Sequence, residues 1–302
     1  MRTVVLFGPT ASGKSALAVA LAQALNGEVI NADSRQVYQN IPIITACPTP
    51  EDYKAAPHHL FEILPIAEKY SAGRYAADAA QKIAEVQGRG RTPIVVGGTG
   101  FYLKSLMEDA TNVAAPEVSP EVATALQQRL QKEPLQNLWN DLHAADRDAA
   151  HNIKPTDTQR IVRALGVFQT TGKKFSSFKN KNNNVKQSGE YLCLALNPPK
   201  EELNARILQR WQAMQKAGVV DEVQLAWAQN KPSAPGLQSV GVRDIGAFLG
   251  GQMSWQQAET SYLTAMRQYA KRQRTWLRNS YPAGLVQQKA DAAAALTWLK
   301  RQ

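Results

Sequence analysis

The sequence predicts an α/β fold: a parallel sheet flanked by helices, with a helical insertion domain. Three observations predict it. Short apolar, β-rich runs alternate with helical patterns near the N-terminus, the rhythm of parallel strands joined by crossover helices. A glycine-rich loop, GPTASGKS (8–15), joins the first such run to the first helical pattern. The texture then changes near residue 111, where TNVAAPEVSP carries two prolines and a helix-rich stretch begins.

Taken in order, TVVLF (3–7) has the uniformly apolar character of a central parallel strand. An Ala/Leu-rich helix is expected from Lys14 to Leu25, a second strand at EVINAD (28–33), a helix over 72–87 and a third strand at TPIVVGG (92–98). Beyond the proline-bearing linker, EVATALQQRL and TQRIVRALGVFQTTG read as helices. SSFKNKNNNVKQSGE (176–190) is Asn- and Lys-rich and reads as an exposed, mobile loop. YLCLAL (191–196) reads as a strand returning to the sheet, and the remainder as mostly helical. The expected organisation is an α/β catalytic core, 1–112 and 188–302, interrupted by a helical insertion domain, 113–187. No internal repeat is evident.

Composition bounds the function. The chain has 302 residues, 44% hydrophobic, enough for a sizeable core. Lys and Arg outnumber Asp and Glu by 35 to 25, a net charge of +10, which favours a polyanionic partner. Its two cysteines, Cys47 and Cys193, are far apart; they form neither a disulfide framework nor a zinc cluster, and the expected compartment is the cytoplasm. MRTVVLFG runs straight into a strand pattern without a signal-peptide h-region, and no apolar run is long enough for a bilayer.

Gly8, Pro9, Thr10, Ala11, Ser12, Gly13, Lys14 and Ser15 fit G-x-x-x-x-G-K-[ST] between a strand and a helix. The expected fold is therefore P-loop NTPase-like. Backbone N–H groups of such a loop converge at the positive end of a helix dipole. Lys14 supplies a charge for the distal phosphate, and the Ser15 hydroxyl can ligate Mg²⁺. The loop implies a diphosphate or triphosphate without saying which. A kinase or ATPase usually carries an acid behind a later strand to hold Mg²⁺. Here PIVVGGTGFYL has none at its tip, and the strand-end acid is Asp33 in VINADSRQVY. Asp33 could be a base, a helix cap or an acid near the metal. Thr10 lies in the loop; Thr99 follows Gly97 and Gly98, small residues expected to let a substrate approach the backbone.

Residues 258–278 read as an amphipathic helix. Arg267, Lys271, Arg274 and Arg278 recur at i, i+4, i+7 and i+11, which places them within about 60° of one another. Tyr262, Met266, Tyr269, Trp276 and Leu277 lie on a different side. A stripe of one sign is unfavourable alone, because like charges at i, i+4 repel. It makes sense against phosphates.

Together these segments resemble the tRNA dimethylallyltransferase (tRNA isopentenyltransferase) family. The matching strings are GPTASGKS (8–15), NADSRQVY (31–38), PHHL (57–60), YSA (70–72), PIVVGGTGFYLKSL (93–106), DTQRIVRAL (157–165), TGK (171–173) and AKRQRTWLR (270–278). The resemblance runs from Met1 to about Arg278. It implies dimethylallyl diphosphate as donor, with Mg²⁺, on the phosphate loop. It implies N6 of the adenine 3′-adjacent to the tRNA anticodon as acceptor, flipped into a channel. Asp33 then matches the base position, Thr10 faces the donor and Thr99 the target nucleotide. Ser34, Arg35, Gln36, Gln159, Arg160, Arg163, Gln238, Arg243, Lys271, Arg272, Arg274 and Arg278 match tRNA-contacting segments. Arg206 and Arg210, an i, i+4 pair, match a segment that helps hold diphosphate or tRNA. The expected partners are dimethylallyl diphosphate and the tRNA anticodon stem-loop, the expected form a monomer free of membrane.

The chain departs from the family pattern after DSRQVY. A DIGTAKP-like string is replaced by Pro42-Ile43-Ile44-Thr45-Ala46-Cys47-Pro48, removing an acid, a glycine and a lysine. Gly166 falls inside a helix, at a cost of about 1 kcal/mol relative to Ala. Two alternatives stand beside the transferase reading: a small-molecule or nucleoside kinase on the same loop, and a tRNA-binding protein that has lost catalysis.

Overall fold

A computed structural model describes residues 2–107, 116–178 and 190–302. The chain divides into two compact units, Met1–Met107 with Lys186–Gln302, and Glu108–Val185. The sequence reading set these divisions at 112/113 and 187/188. Both of those positions, and most of the Asn- and Lys-rich loop, lie outside the described residues.

In chain order the first unit opens with β1 (Thr3–Phe7), α1 (Lys14–Ala24), β2 (Gly27–Asn31), α2 (Pro42–Thr45), α3 (Pro50–Ala55), β3 (His58–His59), α4 (Ala72–Gly88), β4 (Thr92–Gly97) and α5 (Gly100–Met107). The second unit contributes α6 (Pro120–Lys132), α7 (Leu135–Ala145), α8 (Arg147–Asn152) and α9 (Thr158–Thr171). The first unit resumes with β5 (Tyr191–Leu196), α10 (Lys200–Lys216), α11 (Val219–Gln229), α12 (Val242–Leu249), α13 (Trp255–Ser280), β6 (Leu285–Gln287) and α14 (Ala292–Leu299). Among the described residues no helix is long and apolar enough to cross a membrane.

The strands form one parallel sheet in the order β3-β2-β4-β1-β5-β6. Its β-strands alternate faces with period two. Val5, Phe7, Ile30 and Val95 pack under Tyr75, Leu103 and Leu106 of α4 and α5. Val4, Leu6, Val29 and Ile94 pack against Leu17 and Leu21 of α1 and Ala295 of α14. Both faces are covered, so β1 is buried along its whole length and its run shows no polar alternation. Burying each large apolar side chain stabilises by about 1.5–3 kcal/mol. β3 and β6 have two and three residues, too short to show a sequence period. His59, in the PHHL string, binds Glu28 Oε2 at 2.5 Å, where Arg89 and Arg91 also converge. Burial alone would raise the Glu28 carboxyl, but hydrogen bonds from Arg89 and His59 hold it below its usual value.

A third cluster joins α2 to α10–α13. Trp211 stacks on Tyr262 with ring centroids 4.1 Å apart, and Ile41, Ile44, Val223 and Ile245 surround them. In the second unit, Leu126, Leu138, Leu142, Ile161 and Leu165 form the core. There α9 is capped by Asp157, which accepts from Arg160 N–H, and ends at Gly172 with φ 68°. Gly166 has a packing reason: a Cβ there would stand 2.9 Å from both Val118 methyls.

The register matters for the site. Phe7 of β1 lies opposite Gly97 of β4, and Asn31 of β2 opposite Val96. The chain segments leaving these three strands therefore emerge side by side at the C-terminal end of the parallel sheet. They are the phosphate loop, the Asp33 turn and the Gly98–Thr99 turn.

Candidate active site

The loop from Gly8 to Gly13 carries β1 into α1. Ala11 takes a left-handed φ of 60° while buried, a conformation that costs an L-residue about 1–2 kcal/mol. The first turn of α1 has no acidic side chain, and its N-cap, Gly13, offers no side-chain hydrogen bond. The helix N-terminus therefore keeps its positive character for an anion.

Three cations surround this loop. Burial pushes the Lys14 ammonium down to about 8; Asp33 counters that effect and Arg210 adds to it. Arg206 Nη1 donates to the Ser12 carbonyl at 3.0 Å, while its Nη2 donates to Glu202 at 2.6 Å. Arg210 Nη1 donates to Thr10 Oγ1 at 3.3 Å, and burial lowers its pKa despite Tyr262 and Asp33. The structure thus brings Arg206 and Arg210 of α10 onto the predicted phosphate loop. Ser12 Oγ is buried and has no hydrogen-bond partner among the described residues. Ser15 is exposed in the first turn of α1.

Asp33 sits in a turn built by its neighbours. Its N–H donates to Asn31 Oδ1 at 2.7 Å, and Asn31 Nδ2 donates to the Asp33 and Leu60 carbonyls. Asp33 Oδ1 accepts the Arg35 N–H at 2.9 Å, an Asx turn; among the described residues no hydrogen bond engages the other carboxylate oxygen. Thr99 ties this turn to the β4 end. Its hydroxyl accepts the Ser34 N–H at 2.9 Å and donates to Ser34 Oγ at 3.2 Å, and its own N–H donates to the Ala32 carbonyl. Arg35 Nη1 donates to the Pro235 carbonyl at 3.3 Å. The Gln36 amide faces the altered segment, donating to the Thr45 and Ala46 carbonyls at 3.2 and 2.5 Å.

Gly97 and Gly98, expected to admit substrate, are also tightly packed: a Cβ on Gly97 would lie 2.1 Å from the Ala32 carbonyl oxygen. A Cβ on Gly98 would lie 2.2 Å from Gln273 Nε2, and one on Gly100 2.2 Å from the Trp276 ring. Side chains of α13 pack against both. That helix begins at a Ser254–Gln257 capping box and runs 26 residues to Ser280. Its basic stripe is real as geometry: Arg267, Lys271, Arg274 and Arg278 line one cleft of about 410 Å³ with Lys200 of α10. Arg274 Nε donates to Asn197 Oδ1 at 2.9 Å. Arg272 lies off the stripe, its guanidinium 5.7 Å from the Tyr269 ring centroid.

Sequence reasoning missed three residues here. In the sequence Tyr269 stands out only as part of the non-basic side. Burial raises its pKa, as does the charge of Asp33, and its hydroxyl interacts with Thr99; it faces the Asp33 turn. Gln273, in the middle of AKRQRTWLR, is buried with 4% exposure rather than facing phosphates. Phe101, next to the Thr99–Gly100 turn, is 68% exposed, an apolar surface of the kind on which bases stack. The spacing of Tyr269, Gln273 and Trp276 at i, i+4 and i+7 was a one-face signal hidden beneath the stronger charge signal.

The altered Pro42–Cys47 segment forms α2 and a turn. Glu222 of α11 accepts the Ile43 and Ile44 N–H groups at 2.7 and 2.9 Å. The Cys47 thiol contacts Thr45 Oγ1 at 3.4 Å and the Gln36 carbonyl at 3.6 Å, and burial pushes it up to about 12. It is a packed, protonated thiol. Gln238 donates to the Pro232 and Ala234 carbonyls, and its side-chain oxygen accepts from exposed Arg243. Gln159, Arg160 and Arg163 share α9 of the second unit, where burial lowers the Arg163 guanidinium.

A family model described as IPP transferase matches residues 36–280. The chain belongs to that family. It is 41% identical over 276 residues to a tRNA dimethylallyltransferase of Desulfovibrio desulfuricans, covering 91% of this chain and 84% of the relative. A crystal structure of a tRNA isopentenylpyrophosphate transferase from Staphylococcus epidermidis is similar with a TM-score of 0.71 and 30% identity, covering 99% of both chains. A eukaryotic dimethylallyltransferase, crystallised in the course of acting on tRNA, is similar with a TM-score of 0.78 and 31% identity, covering 91% of this chain and 69% of its own. The shared architecture is the parallel, P-loop NTPase-like sheet with flanking helices.

Proposed function

We propose that this protein transfers a dimethylallyl group from dimethylallyl diphosphate to N6 of the adenine 3′-adjacent to the anticodon in tRNA, releasing diphosphate. The observation that carries the reading is the adjacency of two chemically different loops. Lys14 on the phosphate loop and Asp33 on the neighbouring turn lie within electrostatic reach of each other. One loop suits an anionic leaving group, the other a proton.

The chemistry divides between them. An exocyclic adenine amine is a poor nucleophile because its lone pair is delocalised into the ring. As N6 bonds to C1 of the donor, the C1–O bond breaks and its electron pair leaves with diphosphate. The N6 proton passes to the Asp33 carboxylate. Lys14, Arg206, Arg210 and the loop N–H groups stabilise the charge developing on the leaving group. Thr99 and Ser34 hold the Asp33 turn against the β4 end. The residues suit Mg²⁺: Ser15 is exposed beside the loop, and this ion takes few protein oxygens, completing its shell from phosphates and water. When bound, it supplies further neutralisation of the diphosphate. On the acceptor side, the stripe from Arg267 to Arg278 suits the tRNA backbone. The working form in this reading is a cytoplasmic monomer.

The test is one incubation with labelled dimethylallyl diphosphate, ATP and tRNA, followed by identification of the modified species. Prenylated adenosine in tRNA with release of diphosphate is expected. ATP turnover without prenyl transfer would replace this reading with a kinase. tRNA binding without donor consumption would leave a non-catalytic family member.

A further inference from the structure

Gln273 stands in the middle of the basic helix but does not belong to its basic face. Its side chain is one of few polar groups that are almost fully buried, at 4% exposure. Both ends of its amide are used. Oε1 accepts the Thr10 N–H at 2.8 Å, and Nε2 donates to the Gly98 carbonyl at 2.9 Å. The first partner is in the phosphate loop. The second immediately precedes Thr99. The glycine at 98 is required by the same contact, since a Cβ there would collide with Gln273 Nε2.

We propose that Gln273 is a positioning residue that locks the donor loop to the acceptor turn, so that the leaving diphosphate and the proton-accepting carboxylate keep one separation. The assignment rests on the prenyl-transfer reading. Its physical basis is polarity matching. A backbone N–H needs an acceptor and a backbone carbonyl needs a donor, and a primary amide offers both on one planar group. The Thr10 N–H points to α13, so it is satisfied by the protein and not by phosphate. The same loop residue is held from a second side, because Thr10 Oγ1 accepts from Arg210. On the other side the link continues through Thr99, whose hydroxyl holds the Ser34 N–H next to Asp33. Trp276, one turn further along α13, fills the space over Gly100. The helix thus wedges between the two loops and is fastened to both.

The lock predicts a specific pattern of failure. Gln273→Met keeps the length and removes both hydrogen bonds. Gln273→Glu keeps the acceptor for Thr10 N–H but sets a carboxylate against the Gly98 carbonyl. A protonated carboxyl, by contrast, can accept from one and donate to the other. The experiment measures single-turnover prenyl transfer at saturating tRNA and donor, together with the affinity for each substrate alone. For Gln273→Met the expected rate loss is about 10- to 100-fold, with each affinity within about threefold of wild type, because misplacement by a fraction of an ångström is felt by the reacting atoms. For Gln273→Glu the ratio of its rate to the wild-type rate should rise as pH falls, as the buried carboxyl gains its proton. A residue that merely supports folding would recover stability as pH falls but leave the rate of the folded fraction unchanged.

Single-turnover rates near wild type in a folded Gln273→Met protein would overturn the assignment. So would a loss that appears only in tRNA affinity, or a Gln273→Glu ratio independent of pH. Should the Met variant fail to fold, Gly98→Ala displaces the Gln273 amide while leaving every polar partner in place. It should lower the single-turnover rate with substrate affinities kept, and an unchanged rate there overturns the lock equally. The wild-type control separates the two readings: no prenyl transfer by the wild type sinks the function itself, whereas transfer by wild type and variants alike sinks only the role of Gln273.

Discussion

The two sides of α13 handle polarity in opposite ways. Arg267, Lys271 and Arg278 are exposed, and they line an open cleft with Arg274. Gln273, between Lys271 and Arg274 on the same helix, is neutral, buried and bonded to two other segments of chain. The difference follows from desolvation. A charge kept in water beside other charges costs little and waits for a polyanion. A polar group taken out of water must have its hydrogen bonds made, and then it holds its partners in register. One side of the helix is thus suited to affinity and the other to geometry.

The largest expected effect lies on the geometry side. Asp33→Asn keeps the turn, since the amide oxygen can still accept the Arg35 N–H, but removes the proton acceptor. The chemical rate should fall by roughly 10²–10⁴ with small changes in tRNA and donor affinity. Near-normal single-turnover rates would remove Asp33 from the base role and leave the buried side purely structural.

The next effect belongs to the exposed side. Replacing Lys271 and Arg274 with Gln should weaken tRNA binding and flatten its salt dependence by about one unit of slope per lost phosphate contact. Transfer at saturating tRNA should be retained. Gln273→Met should leave that slope unchanged, so the two variants, a few residues apart, are expected to fail in different assays. Equal slopes for wild type and the Lys271/Arg274 double variant would reduce the stripe to a solvated face.

Lys14 allows a pH test that ignores α13. Its ammonium is depressed to about 8 in the folded protein, whereas an unfolded chain keeps it protonated to about 10.4. Between these values the unfolded state binds more protons, so this group makes the folded protein more stable as pH rises. Donor binding has the opposite sign. The diphosphate needs the charged form, so donor affinity should fall above pH 8, by up to about tenfold per unit. Calorimetry in buffers of different ionisation enthalpy should show proton uptake on donor binding near pH 8–9. No uptake would mean that Lys14 is already charged or does not face the phosphate.

The smallest effect is expected at the altered segment. The Cys47 thiol lies near the negative charges of Glu62, Asp33 and Glu222. Cys47→Lys restores the family's positive charge at a half-buried position and should improve tRNA affinity by a factor of about two to five, the scale of a single added charge contact. A loss of both affinity and rate would mean that Pro42–Cys47 has been adapted to another contact.

The sequence by itself determined whatever is local. TVVLF, the phosphate loop and the helix after it are contiguous, so composition and spacing identify them. The basic stripe is a period within one helix and needs no partner to be read. The Asp33 turn was legible as an acid at a strand end, with the family strings adding its expected role. Tertiary structure alone decided what joins these pieces. β3 and β6 exist because longer strands offer them an edge, not because two or three residues specify a strand. Arg206 and Arg210 reach the loop across about two hundred residues of chain. Gln273 finds its partners 263 and 175 residues away. A side-chain amide has no periodic signature, and its meaning is set by which backbone groups folding leaves unpaired around it. That is why the charged face of α13 could be read from spacing, while the neutral residue beneath it had to wait for the fold.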